Sequence, residues 1–167
     1  MYEEEKLIQT YRGKGVLVDT NLLLLLLVGN YDPSLIRRFK RTDRYTEDDY
    51  LFLAQLIRMF SKIITTPHVL TEVSNLANGL GEPIKQFWFQ NFHDALQLFE
   101  EHPLPARATN QTEFAAFGLT DAALVCLGAN TLLVTEDYRL SGYLRSKNLP
   151  VINFSTIRSV QDRLHAR

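Results

Sequence analysis

GVLVDTNLLLLLLVGN, residues 15–30, is the stretch that decides how this chain folds. An apolar run, Val16-Leu17-Val18, stops at Asp19-Thr20-Asn21, and six leucines follow. A continuous β-branched and apolar run predicts a strand buried on both faces, the usual condition of a parallel sheet. Unbroken leucines predict a helix that is apolar nearly all round and deeply buried. The polar triplet between them either caps that helix or marks the carboxyl end of a strand, where α/β folds place ligand sites.

The same alternation continues along the chain. Residues 62–66 read as a second strand, and Pro67 is placed to open a helix carrying Val69, Leu70, Val73, Leu76, Ala77 and Leu80. Residues 131–135 and 150–154 read as further strands, followed by helices over 137–147 and 155–166. Between the first two strands lie a short helix over 34–40 and a longer one over 46–61, the latter opened by Thr46-Glu47-Asp48-Asp49. An aromatic-rich helix is expected over 83–100, a loop or edge strand over 102–110, and helices over 112–117 and 120–129. Strand-helix alternation of this kind predicts an α/β domain on a parallel sheet, with extra helices between the first and second strands.

Composition narrows the function classes. At 167 residues, 1–167 is one domain by length, with 46% hydrophobic and 22% charged residues, as in ordinary globular chains. A net charge of -1 gives no global attraction to nucleic acid or to anionic membrane, so any polyanion binding needs a local patch or bound cations. The single Cys126 excludes an internal disulfide and a cysteine-ligated zinc site. Seven apolar residues from Leu22 to Val28 fall far short of the about 20 that a spanning helix needs. Residues 1–6 are glutamate-rich and unlike a signal peptide. The expectation is a cytoplasmic protein with no membrane partner.

Four acids stand next to strand ends or at the borders of apolar helices: Asp19, Glu72, Asp121 and Asp137. Singly, each has a plain structural explanation, since aspartates stabilise helix N-termini through caps and the macrodipole. Glu72 fits that explanation least, because it borders an apolar helix face without an obvious partner. Gathered at one end of a sheet, such carboxylates repel unless a proton or cation lies between them. Mg²⁺ and Mn²⁺ select oxygen donors of this type, and a metal so held can activate water against a phosphodiester.

Four segments, Val18-Asp19-Thr20-Asn21, Val69-Leu70-Thr71-Glu72-Val73, Leu119-Thr120-Asp121-Ala122-Ala123 and Val134-Thr135-Glu136-Asp137-Tyr138-Arg139-Leu140, resemble the four ordered motifs of the PIN-domain ribonucleases. Leu149-Pro150-Val151-Ile152-Asn153-Phe154 is similar to that family's last strand, so the resemblance spans residues 15–154. It implies a three-layer α/β/α sandwich with a central, mainly parallel sheet. Asp19, Glu72, Asp121 and Asp137 would then hold one or two Mg²⁺ or Mn²⁺ ions, with Asn21 and Thr135 orienting them by hydrogen bonds. It further implies an endoribonuclease that hydrolyses RNA without a covalent intermediate, and, in the VapC-like branch, the toxin of a toxin–antitoxin pair with an antitoxin as partner. Residues 31–61 form a charged helical insertion, longer than its counterpart in the smallest such toxins. Glu136 lies beside Asp137 and is an alternative to it.

Other readings stay open at this point. A catalytically silent PIN-like module would bind RNA or protein without cleaving. A haloacid-dehalogenase-type phosphatase wants a second aspartate where this chain has Asn21, and a receiver domain wants paired acids where it has Asp19 alone. Arg37-Arg38-Phe39-Lys40-Arg41-Thr42-Asp43-Arg44-Tyr45 could hold an RNA backbone and stack a base, or be a solvated helix end or a contact for an acidic partner. Phe87-Trp88-Phe89 with Phe92 and Phe99 reads as core, the alternative being a homodimer face. His68, His93, His102 and His165 show no ligand spacing.

Overall fold

The strand and leucine run sit at the centre of the molecule. A computed structural model describes residues 2–165 of the chain. Its first half contains α1 (Tyr2–Tyr11), β1 (Val16–Val18), α2 (Thr20–Tyr31), α3 (Glu47–Ile57), β2 (Ile63–Thr65), α4 (Pro67–Ala77) and α5 (Ile84–Ala95). Then come β3 (Phe99–Glu101), α6 (Gln111–Phe117), α7 (Leu119–Leu127), β4 (Leu132–Thr135), α8 (Tyr138–Ser146), β5 (Val151–Asn153) and α9 (Phe154–His165). The strands form one all-parallel sheet in the order β3-β2-β1-β4-β5, with helices on both faces, a three-layer α/β/α sandwich.

β1 is the central strand because both of its faces are apolar: Val16, Leu17 and Val18 are at most 1% exposed. It pairs with β2 from Val16 opposite Ile63, and with β4 from Val16 opposite Leu132. In α2, Leu22, Leu23, Leu24, Leu25 and Val28 are closed to solvent, and the helix packs between α3 and α4. Each such side chain contributes about 1.5–3 kcal/mol relative to exposure, which makes this helix a principal anchor of the core. α3 packs tightly against it at Gly29, where the Tyr50 ring occupies the space a side chain would need.

α3 starts where its sequence says it should. The Thr46 hydroxyl accepts from the Asp49 amide at 3.1 Å, and the Asp49 carboxylate accepts from the Thr46 amide at 2.7 Å, a capping box. Asp49 also pairs with Arg158 at 3.0 Å and so ties α3 to α9. Leu53, Leu56 and Ile57 of α3 enter the common core, so residues 31–61 are built into the sandwich instead of hanging from it.

Several boundaries differ from the sequence expectation. The aromatic helix ends at Ala95, and a 3-10 turn, Leu96–Leu98, leads into β3. The edge strand therefore lies at Phe99–Glu101, earlier than 102–110, because pairing from Ile63 opposite Phe99 selects it and a three-residue strand has no period of its own. Over 34–40 the helix is reduced to a 3-10 turn, Pro33–Leu35. The Thr42 hydroxyl donates to the Ile36 carbonyl at 2.8 Å, an alternative to the helical ladder that folds the chain into turns. α3 stops at Ile57, after which the Ser61 amide donates to the Arg12 carbonyl at 2.8 Å. α1 was not anticipated at all, and it packs against β4. The expected extension of the last helix to Ala166 lies outside the described residues. Among the described residues, no helix is long and apolar enough to cross a membrane.

Candidate active site

From β1 the chain proceeds to β2 and β3 on one side, then returns to β4 and β5 on the other. Strand order thus reverses between β1 and β4, and the crevice beyond their carboxyl ends is where such sheets bind ligands. Asp19 stands at the end of β1, and Glu136-Asp137 stand at the end of β4.

Asp19 is buried and held on both oxygens. Its Oδ1 accepts from the Leu22 amide at 2.9 Å, which caps α2. Its Oδ2 accepts from the Thr135 hydroxyl and, at 3.1 Å, from the Glu136 amide. Burial pushes the carboxyl pKa up to about 6, against the pull of the Thr135 and Leu22 hydrogen bonds.

The other acids come from three separate elements. Glu72, exposed on α4, accepts from the Thr20 hydroxyl at 3.0 Å through Oε2. Asp137 caps α8 by accepting from the Arg139 and Leu140 amides at 2.6 and 3.0 Å, while its own amide donates to the Thr135 hydroxyl at 3.0 Å. Asp121 lies half-buried in the first turn of α7, and among the described residues its carboxylate accepts no hydrogen bond. Burial first, then the negative charges of Asp19, Glu72 and Asp137, push its pKa up to about 7. The chain thus brings the other three acids within electrostatic reach of Asp121. Capping and clustering are not rivals here, because Asp19 and Asp137 do both.

Two expectations need correction. Asn21 is exposed and, among the described residues, makes no side-chain hydrogen bond; the neighbouring Thr20 is the residue that holds Glu72. A hydrogen bond spanning 52 residues leaves no trace in local spacing, so sequence reading missed it. The base-stacking role for Phe39 and Tyr45 also fails, since both rings are in the core, 4% and 1% exposed. The carboxylate of Glu136, the alternative to Asp137, is engaged by the Arg44 guanidinium and the Tyr45 hydroxyl. Burial, then Glu136, raises the pKa of that hydroxyl, so Tyr45 is a donor throughout the ordinary pH range.

An all-oxygen donor set with one carboxylate free of protein partners fits Mg²⁺ or Mn²⁺ in its chemistry. As the side chains stand, no three described His, Cys, Asp or Glu residues are close enough to hold one ion. A cation would have to draw Glu72, Asp121 and Asp137 toward the fixed Asp19.

No protein-family model matches this chain, and neither does any curated protein. Two expectations follow from the geometry itself. Asp121→Asn removes a carboxylate whose pKa is raised on folding, so the share of stability that Asp121 loses as pH rises from about 4 to about 7 is present in the wild type and absent from the variant, which keeps only the smaller loss from Asp19. At pH 8 without divalent ions the variant is expected to be the more stable by roughly 1–2 kcal/mol, discounted for its part exposure. Near pH 4 that advantage vanishes, and thermal melts at the two pH values measure it. Thr135→Val keeps the shape but removes the hydroxyl, leaving the part-buried Asp137 amide without its acceptor and Asp19 without one of its three donors. We expect a cost of about 1–3 kcal/mol in denaturant titration.

Proposed function

We propose that this chain is a metal-dependent ribonuclease of the PIN-like type, with Asp19, Glu72, Asp121 and Asp137 as its acidic cluster. The observation that carries the reading is electrostatic. Asp121, without a hydrogen-bond partner among the described residues, has its pKa raised by burial and then by the charges of three acids that three other elements deliver to the switch point of the sheet. A fold gains no stability from such an arrangement, so the repulsion makes sense when a cation offsets it.

When bound, Mg²⁺ or Mn²⁺ supplies water activation and neutralises charge on the phosphodiester. The chain's own residues do the positioning. Three donors fix the Asp19 carboxylate, the Thr20 hydroxyl orients Glu72, and the first turn of α8 holds Asp137. Glu72 and Asp137 are exposed, which leaves the cluster open to a polymer from solvent.

The test is cleavage of single-stranded and structured RNA by the purified chain, with Mg²⁺ or Mn²⁺ and with chelator. Activity that appears with the ion and disappears with chelator is the expected result. Activity indifferent to chelation overturns the metal reading. Growth arrest on expression in a cytoplasmic host, relieved by a co-expressed small partner, would extend the reading to the toxin of a toxin–antitoxin pair. The silent module has one observation on its side, the spacing that keeps any three described ligands from one ion as placed. RNA binding with no cleavage under any divalent ion would favour it.

A further inference from the structure

Residues 37–44 carry five cations, Arg37, Arg38, Lys40, Arg41 and Arg44, against the single carboxylate of Asp43, in a chain whose net charge is -1. The aromatic and hydroxyl members of the segment act as pegs: Phe39, Thr42 and Tyr45 are buried. The Thr42 amide donates to the Phe39 carbonyl at 2.8 Å, and the Arg37 guanidinium donates to the Asp43 carbonyl at 3.0 Å. Arg37, Arg38, Lys40 and Arg41 are left exposed on the outer side.

The course of the chain aligns this strip with the acid cluster. α2 leaves the carboxyl end of the sheet at Asp19 and runs twelve residues, about 18 Å, to the far end. Residues 32–44 make the return journey, and Arg44 arrives back at the site, bonded to Glu136 and to the Tyr45 hydroxyl at 2.9 Å. At its lower end the strip borders a cleft of about 250 Å³, where Arg38 and Lys40 face Leu35, Leu80 and Ile84.

We infer that this strip is the track on which the backbone of single-stranded RNA is led to the acid cluster, with Arg44 pinning its upper end. The inference rests on the nuclease reading and names how that site recognises its substrate. A chain of net negative charge with an acidic site repels a polyanion, and a line of exposed cations ending at the cluster offsets that repulsion where it matters. The cleft, cationic on one wall and apolar on the other, suits an unstacked base beside its phosphate. A duplex offers no such base.

The test is fluorescence anisotropy of a labelled oligouridylate with the full chain in chelator, where cleavage is suspended. Wild type is compared with Arg37→Gln/Arg38→Gln/Lys40→Gln/Arg41→Gln and with Arg12→Gln/Lys14→Gln, the last pair exposed just before β1, at the opposite end of the sheet. The quadruple variant is expected to bind at least about tenfold more weakly, and its slope of log affinity against log salt to flatten by about 3. The Arg12/Lys14 variant should bind like wild type. Wild-type affinity and slope in the quadruple variant would sink the inference, while cleavage with Mg²⁺ or Mn²⁺ would keep the nuclease reading standing. Binding through the strip with no cleavage would sink the nuclease reading and keep the track.

Discussion

Asp19→Asn is expected to lower RNA cleavage by roughly 10³-fold or more, because losing a principal carboxylate of such a site removes several kcal/mol of transition-state stabilisation. Asparagine is the informative replacement. Its amide oxygen can still accept from the Leu22 amide, so the start of α2 survives. Its NH₂ group then faces the Glu136 amide, two donors across what was a 3.1 Å hydrogen bond. Some stability is lost there, yet the carboxylate charge whose burial pushed the pKa up to about 6 is lost as well, and the two effects oppose. A folded protein with a cooperative melt and no metal-dependent cleavage is the predicted outcome. Cleavage within tenfold of wild type would show that Asp19 is a cap and nothing more.

The second large effect concerns the scaffold. Gly29→Ala, which by helix propensity alone should stabilise α2 by about 1 kcal/mol, is expected to destabilise the protein by about 3 kcal/mol. A Cβ at position 29 would lie 2.3, 2.5 and 2.8 Å from Cδ2, Cγ and Cε2 of Tyr50. Cγ is the root of the ring, so the whole side chain, and with it α3, must shift. In a domain of this size that corresponds to a fall in Tm of roughly 6–12 °C. Gly29→Ala combined with Tyr50→Ala should be less destabilised than the two single costs added, and additivity would refute the steric account. Since α3 follows directly on the basic strip, the single Gly29→Ala variant should also weaken RNA binding.

What could be read from the sequence divides along physical lines. β1, α2 and β4 were legible because burial on all sides forces unbroken apolar runs, and α4 because Pro67 opens it and its apolar residues recur at helical spacing. The four acids were legible as positions relative to those elements. β3 was not, since Phe-Glu-Glu becomes a strand only through its pairing with β2. Thr20 was hidden behind Asn21, an equally polar neighbour, and only the fold decides which of the two faces Glu72. The Arg44–Glu136 pair joins residues 92 apart in sequence, and no local pattern encodes it. The burial of Phe39 and Tyr45 was equally invisible, for turns carry no hydrophobic period.

The Thr135 hydroxyl also sets a direction. An amide N–H can only donate, so the hydroxyl oxygen receives from the Asp137 amide, while the hydroxyl proton goes to Asp19. With the Glu136 and Leu22 amides aimed at the same carboxylate, every protein group that touches Asp19 offers it a hydrogen. A neutral Asp19 would need to bring a proton of its own into that ring of donors. The wiring is one-way, and it works against the burial that favours the neutral acid at the head of α2.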